Sequence, residues 1–204
     1  MNAPGEGGAR LRLAREADAA ALARLHREGL AEAFLSVLGE RFLRRVYVAL
    51  ARDPRSPVVV AEAGGRVVGF VAGTTSSRAF SRRFLLRHGV PAAVAAGRRL
   101  FRPNVLGRLR ESATYPGRTD AFPDAELLFV AVADGWRSRG LGGELVRRTL
   151  RELAARGAVE AKAFVAAGNE GANRFYRRSG FRLAGRVTVH GGEVSNLWVI
   201  SCRS

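Results

Sequence analysis

Cysteine and lysine are almost missing from this chain of 204 residues: each occurs once, as Cys202 and Lys162. A single thiol excludes an internal disulfide and a cysteine-based zinc cluster, and it suits a reducing compartment. Acidic residues are scarce too, 18 against 34 basic ones, which leaves a net charge of +16. No stretch approaches the roughly 18 apolar residues that cross a bilayer, and Met1 to Ala9 lacks the basic-then-apolar order of a secretory leader. Hydrophobic residues at 47% and charged residues at 25% exclude a disordered or collagen-like chain. The expectation is a cytoplasmic protein in which residues 1 to 8 form a flexible tail and 9 to 204 one packed domain.

The positive charge is almost all arginine, a skew that codon bias explains as well as selection for an anionic ligand does. Its placement says more than its size. Arginines at 78, 82, 83, 87, 98, 99, 102, 108, 110 and 118 face one acid, Glu111, so this stretch holds +9 of the +16. Solvated helical face, anion-binding lid and membrane-surface helix are the three readings of such a run. Nucleic acid is disfavoured, because aromatic residues do not interleave with the arginines.

Hydrophobic spacing predicts the elements. Arg10 to Ala14 alternates like a strand, Asp18 to Gly29 has helical spacing, and Ala33 to Ala51 carries a broad apolar stripe along one helix that ends at Asp53-Pro54. Val58 to Ala61 and Val67 to Ala72 flank Gly64-Gly65, the signature of a tight hairpin. Residues 76 to 124 contain helix-like pieces broken by prolines, and a connection of that length is commonly functional. Glu126 to Val132 is a near-continuous apolar strand, as expected where both faces are buried. A helix to about Arg156, a strand at Val159 to Val165, a short helix at Glu170 to Ser179 and a closing hairpin complete the chain. Interleaved helices and strands define an α/β layered domain with a mixed central sheet flanked by helices, and a helical insertion between strands 3 and 4.

Two local patterns carry chemistry. Trp136-Arg-Ser-Arg-Gly-Leu-Gly-Gly143 lies between a buried strand and an amphipathic helix, where free amides and the helix dipole can hold a phosphate. Neither the Gly-Lys-Ser/Thr ending of a P-loop nor a Gly-x-Gly-x-x-Gly fingerprint is present, so a plain tight connection competes with the ligand-site reading. Asn169-x-x-Ala172-x-x-Phe175-Tyr176-x-x-x-Gly180-Phe181 follows, with Arg137-x-x-Gly140-x-Gly142 lying 32 residues upstream of Asn169.

Together the two patterns resemble the GNAT N-acetyltransferase superfamily over roughly residues 125 to 190, and the elements before them fit its N-terminal half more loosely. The resemblance implies that Arg137, Gly140 and Gly142, with the backbone of Ser138, Arg139, Leu141 and Gly143, hold the pyrophosphate of acetyl-coenzyme A. Main-chain groups of Val130 and Val132 would receive the pantetheine arm, Asn169 would contact the same arm, and Tyr176 would protonate the departing thiolate. The implied transfer is direct attack by an amine, with no metal required. Glu126 matches the catalytic glutamate of the histone-acetylating branch, and strand alternation predicts it on the face of Leu128, Val130 and Val132. A structural or substrate-positioning role for Glu126 stays open beside the base role, and a packing role for Tyr176 beside the acid role.

His26, His88 and His190 show no metal-ligand spacing, and Cys202 reads as a tail thiol. The function classes are an acetyl-CoA-dependent acyltransferase acting on an amine of a small molecule or a protein, with an anionic amine suggested by the arginines, and a non-catalytic acyl-CoA sensor or nucleic-acid binder. A homodimer is a candidate assembly.

Overall fold

The computed structural model describes residues 8–30, 34–97, 122–189 and 193–203. The N-terminal strand β1 (Arg10–Leu13) enters helix α1 (Ala19–Gly29) through a 3-10 turn at Glu16–Asp18. Arg12 fixes this entry by pairing with Asp18 at 2.7 Å and with Glu62 at 2.6 Å. Two helices, α2 (Phe34–Val37) and α3 (Glu40–Arg52), stand where one continuous helix was expected. The break lies at Gly39, whose φ of 89° is left-handed and stops a right-handed helix.

Strands β2 (Val58–Ala63) and β3 (Arg66–Thr74) form the expected hairpin. Helix α4 (Ser77–Ala96) follows as one element containing Pro91, rather than several pieces; the Ser76 hydroxyl caps it by accepting from the Ala79 amide at 3.1 Å. Leu100, Phe101 and the arginines from Arg98 to Arg118 lie outside the described residues, as do the first seven residues and the turn at His190 to Gly192. Next come β4 (Glu126–Val132), α5 (Leu141–Ala154), β5 (Glu160–Ala166), α6 (Glu170–Arg178), β6 (Arg182–Val189) and β7 (Glu193–Ser201).

The strands make one sheet in the order β1-β2-β3-β4-β5-β7-β6. All neighbours are antiparallel except β4 and β5, which run parallel. Each face covers a core. One holds Leu22, Leu43, Tyr47 and Phe70 under α1, α3 and α4; the other holds Leu145, Leu150, Leu153 and Trp198 under α5 and α6. This is the mixed α/β layered domain that the interleaved elements predict.

Strand β4 departs from expectation in two ways. Leu127 and Ala131 are buried, but Glu126, Leu128, Phe129, Val130 and Val132 are only half-buried, so the strand is not covered on both faces. Its pairing with β3 slips between Ala72↔Phe129 and Gly73↔Leu127, which leaves Leu128 as the extra residue of a β-bulge. Simple alternation therefore fails across the strand. Leu127, Val130 and Val132 belong to the α5 face, whereas Leu128, Phe129 and Ala131 pack on the α1 and α3 side. Glu126 precedes the bulge and adjoins Leu127 of the α5 face, so alternation over this one step turns it away from Val130 and Val132.

Candidate active site

The site is defined by where two parallel strands separate. Strands β4 and β5 share one register pair, Glu126↔Lys162, locked by the Lys162 amide donating to the Ala125 carbonyl at 2.9 Å. Beyond it the two strands share no register pair, while β5 is bonded along its other edge to β7 from Glu160↔Ser201 to Ala166↔Ser195. Among the described residues the carboxyl half of β4 thus has β3 on one side and no strand on the other. An unpaired run of main-chain donors and acceptors can receive an extended ligand as an added strand.

The turn 133–140 and the start of α5 stand at the carboxyl end of β4. Gly140 caps α5 with φ 82°, and no side chain caps the helix. The first intrahelical bond in this turn is Glu144 N–H to the Gly140 carbonyl at 3.2 Å, so the amides of Leu141, Gly142 and Gly143 have no intrahelical acceptor. Ser138 also adopts a left-handed φ of 61°, an uncommon conformation for a residue with a side chain. Backbone of alternating hand with free amides is an anion-binding concavity, and the helix dipole adds positive potential there.

Arg137 is held at the same place. Its Nε donates to the Val132 carbonyl at 3.0 Å, and its Nη1 pairs with Asp134 at 2.8 Å. That carbonyl is one of the main-chain groups expected to meet the pantetheine arm, and here Arg137 occupies it. A cleft of about 110 Å³ opens beside these residues, between Gly29 at the end of α1 and Val132, Ala133 and Arg137. Arg139 lies over the Trp136 ring, 5.7 Å from its centroid.

Asn169, at the end of the turn after β5, caps α6: its Oδ1 accepts from the Ala172 amide at 3.0 Å. Sequence reading passed over Asn173, one turn on, which the structure makes a hub. Its Nδ2 donates to the carbonyls of Ala166 and Asn169 at 2.9 and 2.8 Å. Its Oδ1 accepts from Asn196 Nδ2 at 2.9 Å and from Trp198 Nε1 at 3.0 Å. This network fixes α6 to the end of β5 and to β7. Since it occupies a variable position between Ala172 and Phe175 of the pattern, no spacing signal marks it.

On α6, Tyr176 is buried, and its hydroxyl takes no hydrogen bond among the described residues. Burial, and secondarily the negative charge of Glu126, push this phenol above its ordinary value. The Glu126 carboxyl is likewise raised, by burial first; Lys162 and the Ser77 hydrogen bond pull it down, and Asp124 raises it further. The structure therefore brings together Glu126, Tyr176 and Lys162, from opposite faces of the sheet, where β4 and β5 part. Sequence reading had singled out the first two but not the buried lysine.

The arginine run behaves unevenly. Arg83 pairs with Asp53 at 2.7 Å and anchors α4 to the end of α3, which removes it from any lid, while Arg82 and Arg87 are exposed. Cys202 is buried rather than a loose tail thiol, with its pKa raised by burial to about 11. Among the described residues no group of three or more His, Cys, Asp or Glu could hold a metal, and no helix is long and apolar enough to cross a membrane.

An uncapped helix start after a left-handed turn, at the mouth of a split parallel strand pair, suits a phosphate-bearing carrier with an extended arm. The chain belongs to the Acetyltransferase (GNAT) family, whose sequence profile matches residues 19–181. No curated protein sequence matches it. Solved structures with the same fold include Ard1 from Thermoplasma volcanium, at 16% identity and a TM-score of 0.61 over 96% of this chain and 98% of that one. PaiA N-acetyltransferase from Thermoplasma acidophilum, solved with coenzyme A, is 12% identical with a TM-score of 0.60 over 96% of this chain and 99% of that one. YncA from Salmonella typhimurium, solved with its cofactor acetyl-CoA, is 16% identical with a TM-score of 0.58 over 96% of this chain and 95% of that one.

Proposed function

We propose that this protein transfers an acetyl group from acetyl-CoA to a primary amine of a small molecule or a protein by direct attack. The observation that carries this reading is the opening of the sheet beyond Glu126↔Lys162, with the uncapped first turn of α5 at its mouth. The free amides from Ser138 to Gly143 and the Arg137 guanidinium suit the diphosphate of the coenzyme. The edge of β4 suits its amide-bearing arm at Val130 and at the Val132 amide, the Val132 carbonyl being taken by Arg137, with Asn169 across the opening. Family membership and relatives solved with coenzyme A or acetyl-CoA support the same donor.

In this reading the amine nitrogen attacks the thioester carbonyl, and β4 amides stabilise the negative charge that develops on its oxygen. The carbon–sulfur bond breaks as the Tyr176 phenol gives its proton to the leaving thiolate. Glu126 takes the proton that the amine must lose, directly or through one water. A phenol held protonated beside a carboxylate suits an acid and a base working at one opening. The acceptor enters past the start of α4, whose Ser77 touches Glu126. Exposed Arg82 and Arg87 farther along that helix favour an anionic amine.

An amine panel assayed with acetyl-CoA by free-thiol release tests the activity. Calorimetry with coenzyme A tests the donor site, and the absence of binding at millimolar concentration overturns the proposal. Relative rates toward anionic and neutral amines that survive Arg82→Ala/Arg87→Ala remove those arginines from acceptor choice.

A further inference from the structure

One residue at the opening has no part in the chemistry above. Lys162 is the chain's sole lysine; every other one of the 34 basic residues is arginine. It is also a buried charged residue, 3% exposed, on the central strand β5. A lysine is almost never fully buried without compensating groups, and here the Cα register sets Lys162 directly opposite the half-buried Glu126, on the same face of the sheet. An ammonium is a compact point charge on a flexible stem, whereas a guanidinium is a broad planar fork, so a narrow site between strands accepts lysine more readily. The lysine Nζ also lies 5.9 Å from the Phe164 ring centroid, on its own strand.

We propose that Lys162 is a positioning residue of the transfer site: its ammonium, held on β5, keeps Glu126 ionised and directed into the opening between β4 and β5, and thereby sets the pH at which turnover begins. This rests on the assignment of Glu126 as base. Among the described residues the groups facing Glu126 are Lys162 from β5, Tyr176 from α6, Ser77 from α4 and Asp124 from the chain entering β4. Of these, Lys162 supplies the positive charge, Ser77 supplies a neutral hydrogen bond, and Asp124 works against ionisation. Losing the lysine therefore leaves burial and a second carboxylate acting on Glu126 in the same direction.

The test compares pH profiles of kcat/KM for the full-length protein, Lys162→Met, Lys162→Arg and Glu126→Gln. The expected result is an acid limb that moves up by about one pH unit or more in Lys162→Met, moves less in Lys162→Arg, which keeps the charge on a bulkier group, and vanishes in Glu126→Gln. KM for acetyl-CoA should change less than about twofold in both lysine variants, since neither touches the diphosphate turn. A limb that disappears in Glu126→Gln but does not move in Lys162→Met overturns the role of the lysine alone. A limb that survives Glu126→Gln overturns the base assignment.

A second readout needs no altered lysine. With lysine labelled at 13Cε the protein gives one side-chain signal. That signal should shift across the pH of the acid limb, and the shift should be absent in Glu126→Gln. A flat signal through the limb overturns the proposal even where Lys162→Met fails to fold.

Discussion

The Tyr176 and Phe181 rings meet edge to face, with centroids 4.9 Å apart and planes at 89°. Phe175 presses from the other side at 5.4 Å and 77°. The ring is thus oriented by its neighbours, and no described residue bonds its hydroxyl, so Tyr176→Phe should remove one oxygen and little else. We expect the melting temperature to shift by no more than about 2 °C and coenzyme affinity to stay within about twofold. Turnover should fall by about 100-fold or more, the usual loss for a proton donor. Because burial and Glu126 push the phenol upward, the unaltered enzyme should also show no loss of activity from Tyr176 deprotonation below about pH 10. Free-thiol release and calorimetry check both parts, and undiminished turnover removes Tyr176 from the chemistry.

Two neighbouring glycines at the turn proposed to hold the diphosphate make a matched pair. A Cβ at Gly142 would come within 3.1 Å of Phe175 Cε2, the ring that braces Tyr176. A Cβ at Gly143 would meet only the flexible end of Arg147, at 3.5 Å. Gly142→Ala must therefore displace either the first turn of α5 or the Phe175 ring, and we expect KM for acetyl-CoA to rise about tenfold or more, as when one charge-assisted hydrogen bond is lost. Gly143→Ala should stay within about twofold. Equal KM values for the two variants would show that the first turn of α5 does not grip the coenzyme.

Most of the fold was legible in sequence because hydrophobic periodicity is local. The order of strands and helices follows from residues a few positions apart, and so does the strand-turn-helix at 136–143. What was missed depends on contacts between distant segments. The break before α3 turns on one glycine inside a stripe that otherwise reads as continuous helix. The bulge at Leu128 exists only in the pairing of β4 with β3, so alternation wrongly set Val130 and Val132 on the face of Glu126 and Leu128. Lys162 gains meaning only from the parallel register that sets it beside Glu126, and Asn173 only from a Trp and an Asn on β7.

That asparagine should be costly to lose. Asn173→Leu leaves Trp198 Nε1 and Asn196 Nδ2 without their shared acceptor in a buried setting, and it frees the carbonyls of Ala166 and Asn169. Unsatisfied buried polar groups cost about 1–3 kcal/mol each, so a loss of about 3 kcal/mol, or about 6–12 °C in melting temperature, is expected. Asn173→Asp keeps the acceptor but not the donor and should lose less. Urea and thermal unfolding compare them, and a neutral Asn173→Leu would show that the network adds nothing to stability.

His26 should make the fold acid-sensitive above the range where most carboxylates titrate. Its ring is fully buried; Nδ1 lies 2.6 Å from the Tyr47 hydroxyl, Nε2 has no partner among the described residues, and Phe129 packs at 4.7 Å. Burial lowers its pKa from 6.5 to about 4. Between those values the unfolded chain binds a proton that the folded chain refuses, so stability is complete above the upper value and declines as pH falls towards the lower one. Folding free energy should drop by about 2 kcal/mol between pH 7 and pH 5 on this account alone. Asp18 and Asp53, lowered by their ion pairs and hydrogen bonds, also lose stability on acidification, but at more acid pH. Urea unfolding at the two pH values should therefore show the drop in the unaltered protein and most of it abolished in His26→Gln, which keeps a hydrogen-bonding group near Tyr47. The same drop in both proteins would mean that His26 is not the residue that titrates.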